Sequence, residues 1–372
     1  MTHTVQLPCG TLRLVVEEAK LPLDRLCGFG CRRSRKRGFV FVSRVLGKHV
    51  PARPRVMAET HARLAETLLD LPGPVAVVAL AETATGLGQG VFEELLRRTN
   101  RTDAVFLHTT RYRLSRPLAF GFEEPHSHAP DHLLYEPVEP ECADLFRRAV
   151  SLVLVDDEIS TGRTLLNLAA AYRRLNPRLA TVHLVCLTDW LGPRRAGLAA
   201  ELGVPVRVGS LLRGGYSFDA DPAFDPEPAP DVTGRGQFLD AVLPTNHGRL
   251  GVRGPLPYDL DAMIADAGVK SGERVLLLGS GEFAHPPFRL ARRLDELGWD
   301  VVFQCTTRSP LVGGGELGGV LTFADNTDAA VPNFLYNVAG RRYDRVLIGY
   351  ETRPLPVAHR LPEMLGATAV YF

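Results

Sequence analysis

The chain has 372 residues, 45% of them apolar and 23% charged, with a formal net charge of +1. That length exceeds one ordinary core and suits two domains. The near-neutral charge argues against a polyanionic partner such as nucleic acid, and no run of about 18 uncharged apolar residues offers a membrane span. Met1 to Gly10 lacks the basic-then-apolar layout of a secretory signal. The cysteines at 9, 27, 31, 142, 186 and 305 are too scattered for a disulfide framework in a chain this long, so reduced thiols and a cytoplasmic setting are expected. Cys27 and Cys31 have zinc-like spacing, but no second pair follows nearby.

In chain order, residues 1–50 read as a basic, irregular preface, with Arg32, Arg33, Arg35, Lys36 and Arg37 before a strand at Phe39–Val45. The apolar spacing of Leu64, Leu68 and Leu71 predicts a helix over Val56–Leu71, ended by Pro72-Gly73-Pro74. Val75–Leu80 is a buried strand, Val91–Leu96 continues as a helix after glycines 86, 88 and 90, and Ala104–His108 is the next strand. Residues 112–140, polar and histidine-rich, read as a long loop or lid. Ser151–Val155 is a central strand, Thr164–Leu175 a helix and Thr181–Leu187 a strand. This alternation predicts an α/β fold with a largely parallel sheet covered on both faces. Gly214–Pro257 reads as a linker with one short helix near Phe238–Val242. A second α/β unit follows, with strands at Val275–Leu278, Val301–Gln304 and Val346–Tyr350 and a helix at Phe288–Leu297. The expected division is 1–213, linker 214–257, and 258–372.

The halves echo each other. Val77–Glu82 resembles Leu276–Glu282, and Val105–Arg111 matches Val302–Arg308. Val153–Asp157 has its counterpart in Val346–Tyr350, without the acid pair. A decayed internal duplication accounts for this order better than convergence of α/β strands on similar apolar runs does.

The stretch Val153 to Thr164 carries the most chemistry. An apolar strand runs into Asp156 and Asp157, and then through Glu158 and Ile159 into Ser160, Thr161, Gly162, Arg163 and Thr164 at a helix start. Open α/β sheets bind ligands at strand carboxyl ends. Two adjacent carboxylates there can accept hydrogen bonds from the vicinal hydroxyls of a pentose. The helix opening, with its free N–H groups and hydroxyls, can cradle a phosphate monoester. Asp and Ser are also ordinary helix caps, but capping accounts for one acid and one serine, not for the whole run.

This run resembles the phosphoribosyl-pyrophosphate signature of the type I phosphoribosyltransferases. Thr307-Arg308-Ser309-Pro310, Gly47-Lys48-His49, Ala81–Gly88 and Glu124–Ala129 make the wider chain similar to the branch with a C-terminal TRSP domain, found with tellurium-resistance and stress gene clusters. The resemblance implies a type I phosphoribosyltransferase-like sheet followed by a second α/β domain, which the echo between the halves marks as a candidate degenerate internal duplicate. It implies transfer of a phosphoribosyl group, with magnesium, between phosphoribosyl pyrophosphate and a small nitrogenous base or nucleotide, in making a nucleoside-like metabolite.

Under that resemblance Asp156 and Asp157 hold the ribose hydroxyls, and Ser160–Thr164 holds the 5-phosphate. The loop with Glu82, Thr83, Ala84, Thr85 and Gly86 takes the pyrophosphate position, where Glu82 either binds through magnesium or faces a nucleophile. Arg111 offers a guanidinium fork to pyrophosphate, and Arg308 repeats it in the second half. Lys48 and His49 meet a phosphate or complete the acceptor pocket. The spacing of His126, His128 and His132 permits a metal, but the resemblance places them in a mobile hood, in contact with leaving group or acceptor. Second-domain candidates are Glu282, Thr307, Arg308 and Ser309. Asp325–Asp328 and Glu351–Arg353 are further polar stretches near strand ends. A non-catalytic nucleotide or phosphoribosyl-pyrophosphate sensor or scaffold in a stress system is the alternative, and a homodimer stays open.

Overall fold

The computed structural model describes residues 1–34, 37–123, 131–234 and 236–372, with the side chains of 121–123 and 131 outside the description. Its main sheet runs in the order Thr2–Leu7, Gly10–Ala19, Val206–Ala220, Thr181–Asp189, Ser151–Val155, Val75–Ala79, Ala104–His108. The last five strands are parallel, and the N-terminal hairpin joins them antiparallel. Ser151–Val155, Val75–Ala79 and Ala104–His108 are buried at every residue, because helices cover both faces. On one face Val75 and Val77 pack with Leu64, Leu87 and Leu95. On the other, Ala76 and Val78 pack with Phe146, Leu165 and Tyr172.

Several local expectations change. The irregular preface is the hairpin Thr2–Leu7/Gly10–Ala19 plus strand Cys27–Arg32, which pairs with Phe39–Ser43 on one side and Leu311–Val312 on the other. The long loop 112–140 contains the antiparallel strands Leu118–Glu123 and Asp131–Tyr135, and a helix follows at Pro140–Arg148. The helix read at Phe238–Val242 is a single turn, in which the Val242 and Leu243 N–H groups close on the Leu239 carbonyl. The helix read from Val91 begins at Thr85 and takes in all three glycines. They serve close packing, since a Cβ at Gly88 would lie 2.3 Å from the Ala79 Cβ and one at Gly90 would lie 2.2 Å from His61.

The second unit repeats the first. Its parallel strands run Asp300–Cys305, Arg274–Gly279, Arg345–Tyr350, Thr368–Tyr371, the same order as Ala104–His108, Val75–Ala79, Ser151–Val155, Thr181–Asp189. The hydrogen bonds repeat as well. Thr109 N–H donates to the Ala79 carbonyl while its hydroxyl accepts from Ala81 N–H, and Thr306 does the same with Gly279 and Gly281. The Tyr135 hydroxyl ties Leu114 N–H to the Tyr112 carbonyl, as Tyr336 ties Leu311 to Ser309. The two units exchange arms. Ala52, ahead of the first unit, pairs with edge residue Phe303 of the second, and Val252, ahead of the second, pairs with Phe106 of the first.

Candidate functional site

A cavity of about 220 Å³ lies at the carboxyl ends of Val75–Ala79 and Ser151–Val155. Asp156, Asp157 and Glu158 line it, followed by Ile159 to Leu165. The main chain fixes the acids. Asp156 N–H donates to the Val185 carbonyl, Leu187 N–H donates to the Asp157 carbonyl, and Asp157 N–H donates to Asp156 Oδ1 at 2.9 Å. Gly162, with φ of 72°, turns the chain into the helix Arg163–Leu175, a conformation that costs a Cβ-bearing residue energy. Burial, and then the neighbouring charge of Glu158, push the Asp157 carboxyl up to about 6. Among the described residues no cation pairs with the Asp157 carboxylate.

Other walls come from distant parts of the chain. Glu82, Thr83, Arg111 and His132 line the cavity from the first unit, and Thr307, Arg308 and Ser309 from the second. Burial would raise the Glu82 carboxyl, but the Lys48 ammonium at 2.5 Å, Arg111 and the Thr307 hydroxyl hold it down at about 2. Glu82 also accepts from Arg308 N–H at 3.3 Å. Lys48 sits behind this carboxylate and donates to the Thr306 carbonyl at 3.0 Å, so it does not line the cavity. His49 does, and its imidazole is lowered to about 3 by burial, Lys48 and Arg32. Its Nε2 has no hydrogen-bond partner among the described residues. His132 is buried and its Nδ1 lies 3.1 Å from the Thr109 hydroxyl, while His126 and His128 fall outside the described residues.

Some sequence candidates lie elsewhere. Ala84, Thr85 and Gly86 do not line the cavity. The Thr85 hydroxyl donates to the Glu282 carbonyl at 2.9 Å, and Gly86 abuts Ala284. Glu282 faces the opposite unit, accepting from the Thr110 hydroxyl at 2.5 Å and from Arg111 N–H at 2.7 Å. Glu82 and Glu282 are thus reciprocal latches, each closing on the Thr-Arg pair of the other unit. The Arg308 guanidinium is committed to Asp325 at 3.1 Å and to Thr327, so its charge is already matched.

The sequence reading missed one wall: Arg32, Ser34, Arg37, Val40 and Phe41 line the cavity from the small antiparallel sheet. Arg37 pairs with Glu158 and reaches Ser160 at 3.5 Å. The available signal was the arginine cluster of the preface, which in a short, aromatic-poor stretch of a near-neutral chain suits a small anionic ligand rather than nucleic acid but does not say which surface it joins.

The corresponding cleft of the second unit is closed. Gly349 aligns on Gly279 as Val155 does on Ala79, so Tyr350 and Glu351 stand where Asp156 and Asp157 do. There Glu351 is buried against Arg249, with contacts of 2.6 and 3.0 Å. Among the described residues no cluster of three or more His, Cys, Asp or Glu is placed to hold a metal ion. No helix among them is long and apolar enough to cross a membrane.

Fold and cavity together define an α/β protein with adjacent carboxylates beside a helix start. Comparison with family profiles matches residues 26–215 to the phosphoribosyl transferase family and residues 247–365 to the TRSP domain that lies C-terminal to it. The first match spans just over half the chain, and the chain belongs to that family. No curated protein matches it. Among solved structures it is similar to an APRTase from Giardia lamblia complexed with 9-deazaadenine (15% identity, 43% of this chain and 80% of that one, TM-score 0.28). It is also similar to the Mycobacterium tuberculosis orotate phosphoribosyltransferase (12%, 50% and 90%, 0.30). A third is the Trypanosoma brucei adenine phosphoribosyl transferase in complex with AMP, pyrophosphate and ribose-5-phosphate (17%, 42% and 65%, 0.30).

Proposed function

We propose that this chain is a magnesium-dependent phosphoribosyltransferase that forms or cleaves the N-glycosidic bond between phosphoribosyl pyrophosphate and a nitrogenous base, in the synthesis of a nucleoside-like metabolite. The observation that carries this reading is the junction at Asp156–Thr164, where two part-buried carboxylates adjoin a helix opening on one cavity wall. Asp156 and Asp157 take the ribose 2- and 3-hydroxyls, and Ser160–Thr164 takes the 5-phosphate through N–H groups and hydroxyls. Glu82, Thr83 and Arg111 border the pyrophosphate, with Arg111 supplying the fork of donors. Glu82 acts through position: its carboxylate is held by Lys48 and the second unit, and it keeps the loop in place.

Magnesium takes its oxygens from one or two carboxylates together with substrate phosphates and water, and the adjacent carboxylates of Asp156 and Asp157 on one cavity wall would suit such a cation. When bound, it offsets charge on the leaving group. The bond from C1 to the pyrophosphate oxygen breaks with its electron pair leaving on pyrophosphate, and the base nitrogen bonds to C1 and gives up its proton. Most of the rate comes from positioning and electrostatics. The site draws on both units, so the proposed divisions 1–213, 214–257 and 258–372 share one catalytic centre, set in the cytoplasm.

The test is pyrophosphate release from phosphoribosyl pyrophosphate with magnesium and a panel of bases, with Asp157→Asn as comparison. Base-dependent release that falls in the variant supports the reading. Tight sugar-phosphate binding without release for any base supports a sensor instead. An Asp157→Asn variant that folds and keeps full affinity sinks the site assignment.

A further inference from the structure

Two of the six cysteines meet. Cys9 lies in the turn of the N-terminal hairpin, between Thr2–Leu7 and Gly10–Ala19, and Cys31 lies on strand Cys27–Arg32 of the small sheet. Their sulfurs are 3.0 Å apart, and both residues are buried. A disulfide needs the sulfurs only about 1 Å closer. No other two cysteines touch among the described residues. Burial, and then the contact with Cys31, raise the Cys9 thiol to about 12, so Cys9 rests protonated.

The pair joins two parts of the chain, one of which carries a wall of the cavity. The hairpin extends the main sheet, where Asp221 N–H donates to the Cys9 carbonyl at 3.0 Å. Cys31 has Phe39 opposite it on one side and Val312 of the second unit on the other. Beside it is Arg32, which lines the cavity and whose N–H donates to the Gly38 carbonyl at 2.6 Å. Gly38 packs on Cys9, since a Cβ there would lie 3.0 Å from the Cys9 Cβ. The residue before it, Arg37, pairs with Glu158 and comes within 3.5 Å of the Ser160 hydroxyl. A shift of Cys31 toward the hairpin therefore passes to Arg32 and, through Gly38, to Arg37.

We propose that Cys9 and Cys31 form a reversible disulfide, and that this bond draws the Arg37 wall away from Ser160 and weakens the cavity's hold on a phosphorylated pentose. The oxidant is a peroxide. One thiolate attacks a peroxide oxygen, the O–O bond breaks, and the departing oxygen takes up a proton as water, leaving a sulfenic acid. The second thiolate attacks that sulfur, the S–O bond breaks, and a second water leaves. Two thiols and one hydrogen peroxide give one disulfide and two waters, with two electrons passing from sulfur to oxygen. A dithiol reductant reverses the change by exchange. The bond itself is independent of the transferase reading; its effect on ligand affinity rests on that reading.

To test it, the full chain is treated with hydrogen peroxide, remaining thiols are blocked, and tryptic peptides are sequenced by mass spectrometry. The peptide ending at Arg13 should be joined to Leu26–Arg32 with the loss of two hydrogens. Cys27 shares the second peptide, so Cys27→Ser, which should keep the link, tells the two apart. Dithiothreitol should release it. The linked chain should unfold at a higher urea midpoint than the reduced one, because the bond closes a loop across 22 positions. By calorimetry it should bind ribose 5-phosphate at least about threefold more weakly, as loss of a charge-assisted contact near the phosphate requires. In Cys9→Ala, or in Cys31→Ala should the first fail to fold, peroxide should leave that affinity unchanged. No link after peroxide, a link that needs Cys27, a linked chain whose affinity is equal or tighter, or a peroxide effect that survives both alanine variants each overturns the switch. Failure of ribose 5-phosphate to bind the reduced chain overturns the sugar-phosphate site instead, and the link is then judged by its mass and by the urea midpoint.

Discussion

Asp157 carries opposing demands at a single residue. Its carboxyl is raised to about 6, so the stability linked to its protonated form is complete below about pH 4 and is lost as pH rises through 6. In the proposed sugar site, binding has the opposite sign, because an ionised carboxylate accepts hydrogen bonds from pentose hydroxyls better than a protonated one. Calorimetry should therefore show phosphoribosyl-pyrophosphate affinity falling as pH drops through 6. At pH 7.5, Asp157→Asn should weaken that affinity at least about tenfold and raise stability by on the order of 1 kcal/mol, since it removes a crowded negative charge. Arg249 behaves differently. Its pair with Glu351 is almost wholly buried, and Arg249→Met strands a carboxylate, a change worth about 3–5 kcal/mol in urea unfolding. Adding Glu351→Leu should recover most of that loss, because a buried ion pair exchanged whole for apolar groups is often neutral.

Among the elements, the helix Thr85–Thr99 lies so close to strand Val75–Ala79 that Gly88 has no room for a side chain. Gly88→Ala should cost about 1–3 kcal/mol by overpacking, visible as a lower denaturant midpoint. The same glycines explain a sequence error: they read as a loop because isolated helix propensity disfavours them, while tertiary packing requires them. Buried strands such as Ser151–Val155 were legible from their unbroken apolar runs. Strand Thr2–Leu7 was not, since it alternates exposed and half-buried residues and carries two threonines and a glutamine along its exposed side. Strand Val206–Ala220 was not read, and its second half fell in the stretch taken as linker from Gly214, where the backbone of Val15 instead crowds against Gly214 within a register shift. Asp156–Thr164 was legible because its chemistry is contiguous. The Arg32–Phe41 wall was not, because its residues acquire a role only when the small sheet folds over a loop more than a hundred positions away.

At the scale of the whole molecule, the second unit stands to the first as one subunit of a dimer stands to its partner, with one cleft open and the other closed by Arg249 and Glu351. Titration of phosphoribosyl pyrophosphate should saturate at one equivalent per chain; two equivalents would mean that the closed cleft opens. The reciprocal glutamates make the units interdependent, since Glu82 is completed by Thr307 and Arg308 just as Glu282 is completed by Thr110 and Arg111.

The exchanged arms have a mechanical outcome. Each half lays a short piece of backbone along the outermost strand of its neighbour, at Ala52–Phe303 and Val252–Phe106. Severing the polypeptide in the exposed, proline-rich run 221–230 should not set the halves adrift. The nicked protein should travel as a single particle on a sizing column and come apart into two fragments only in denaturant, because the clasp is woven from both sides and does not depend on the thread between them.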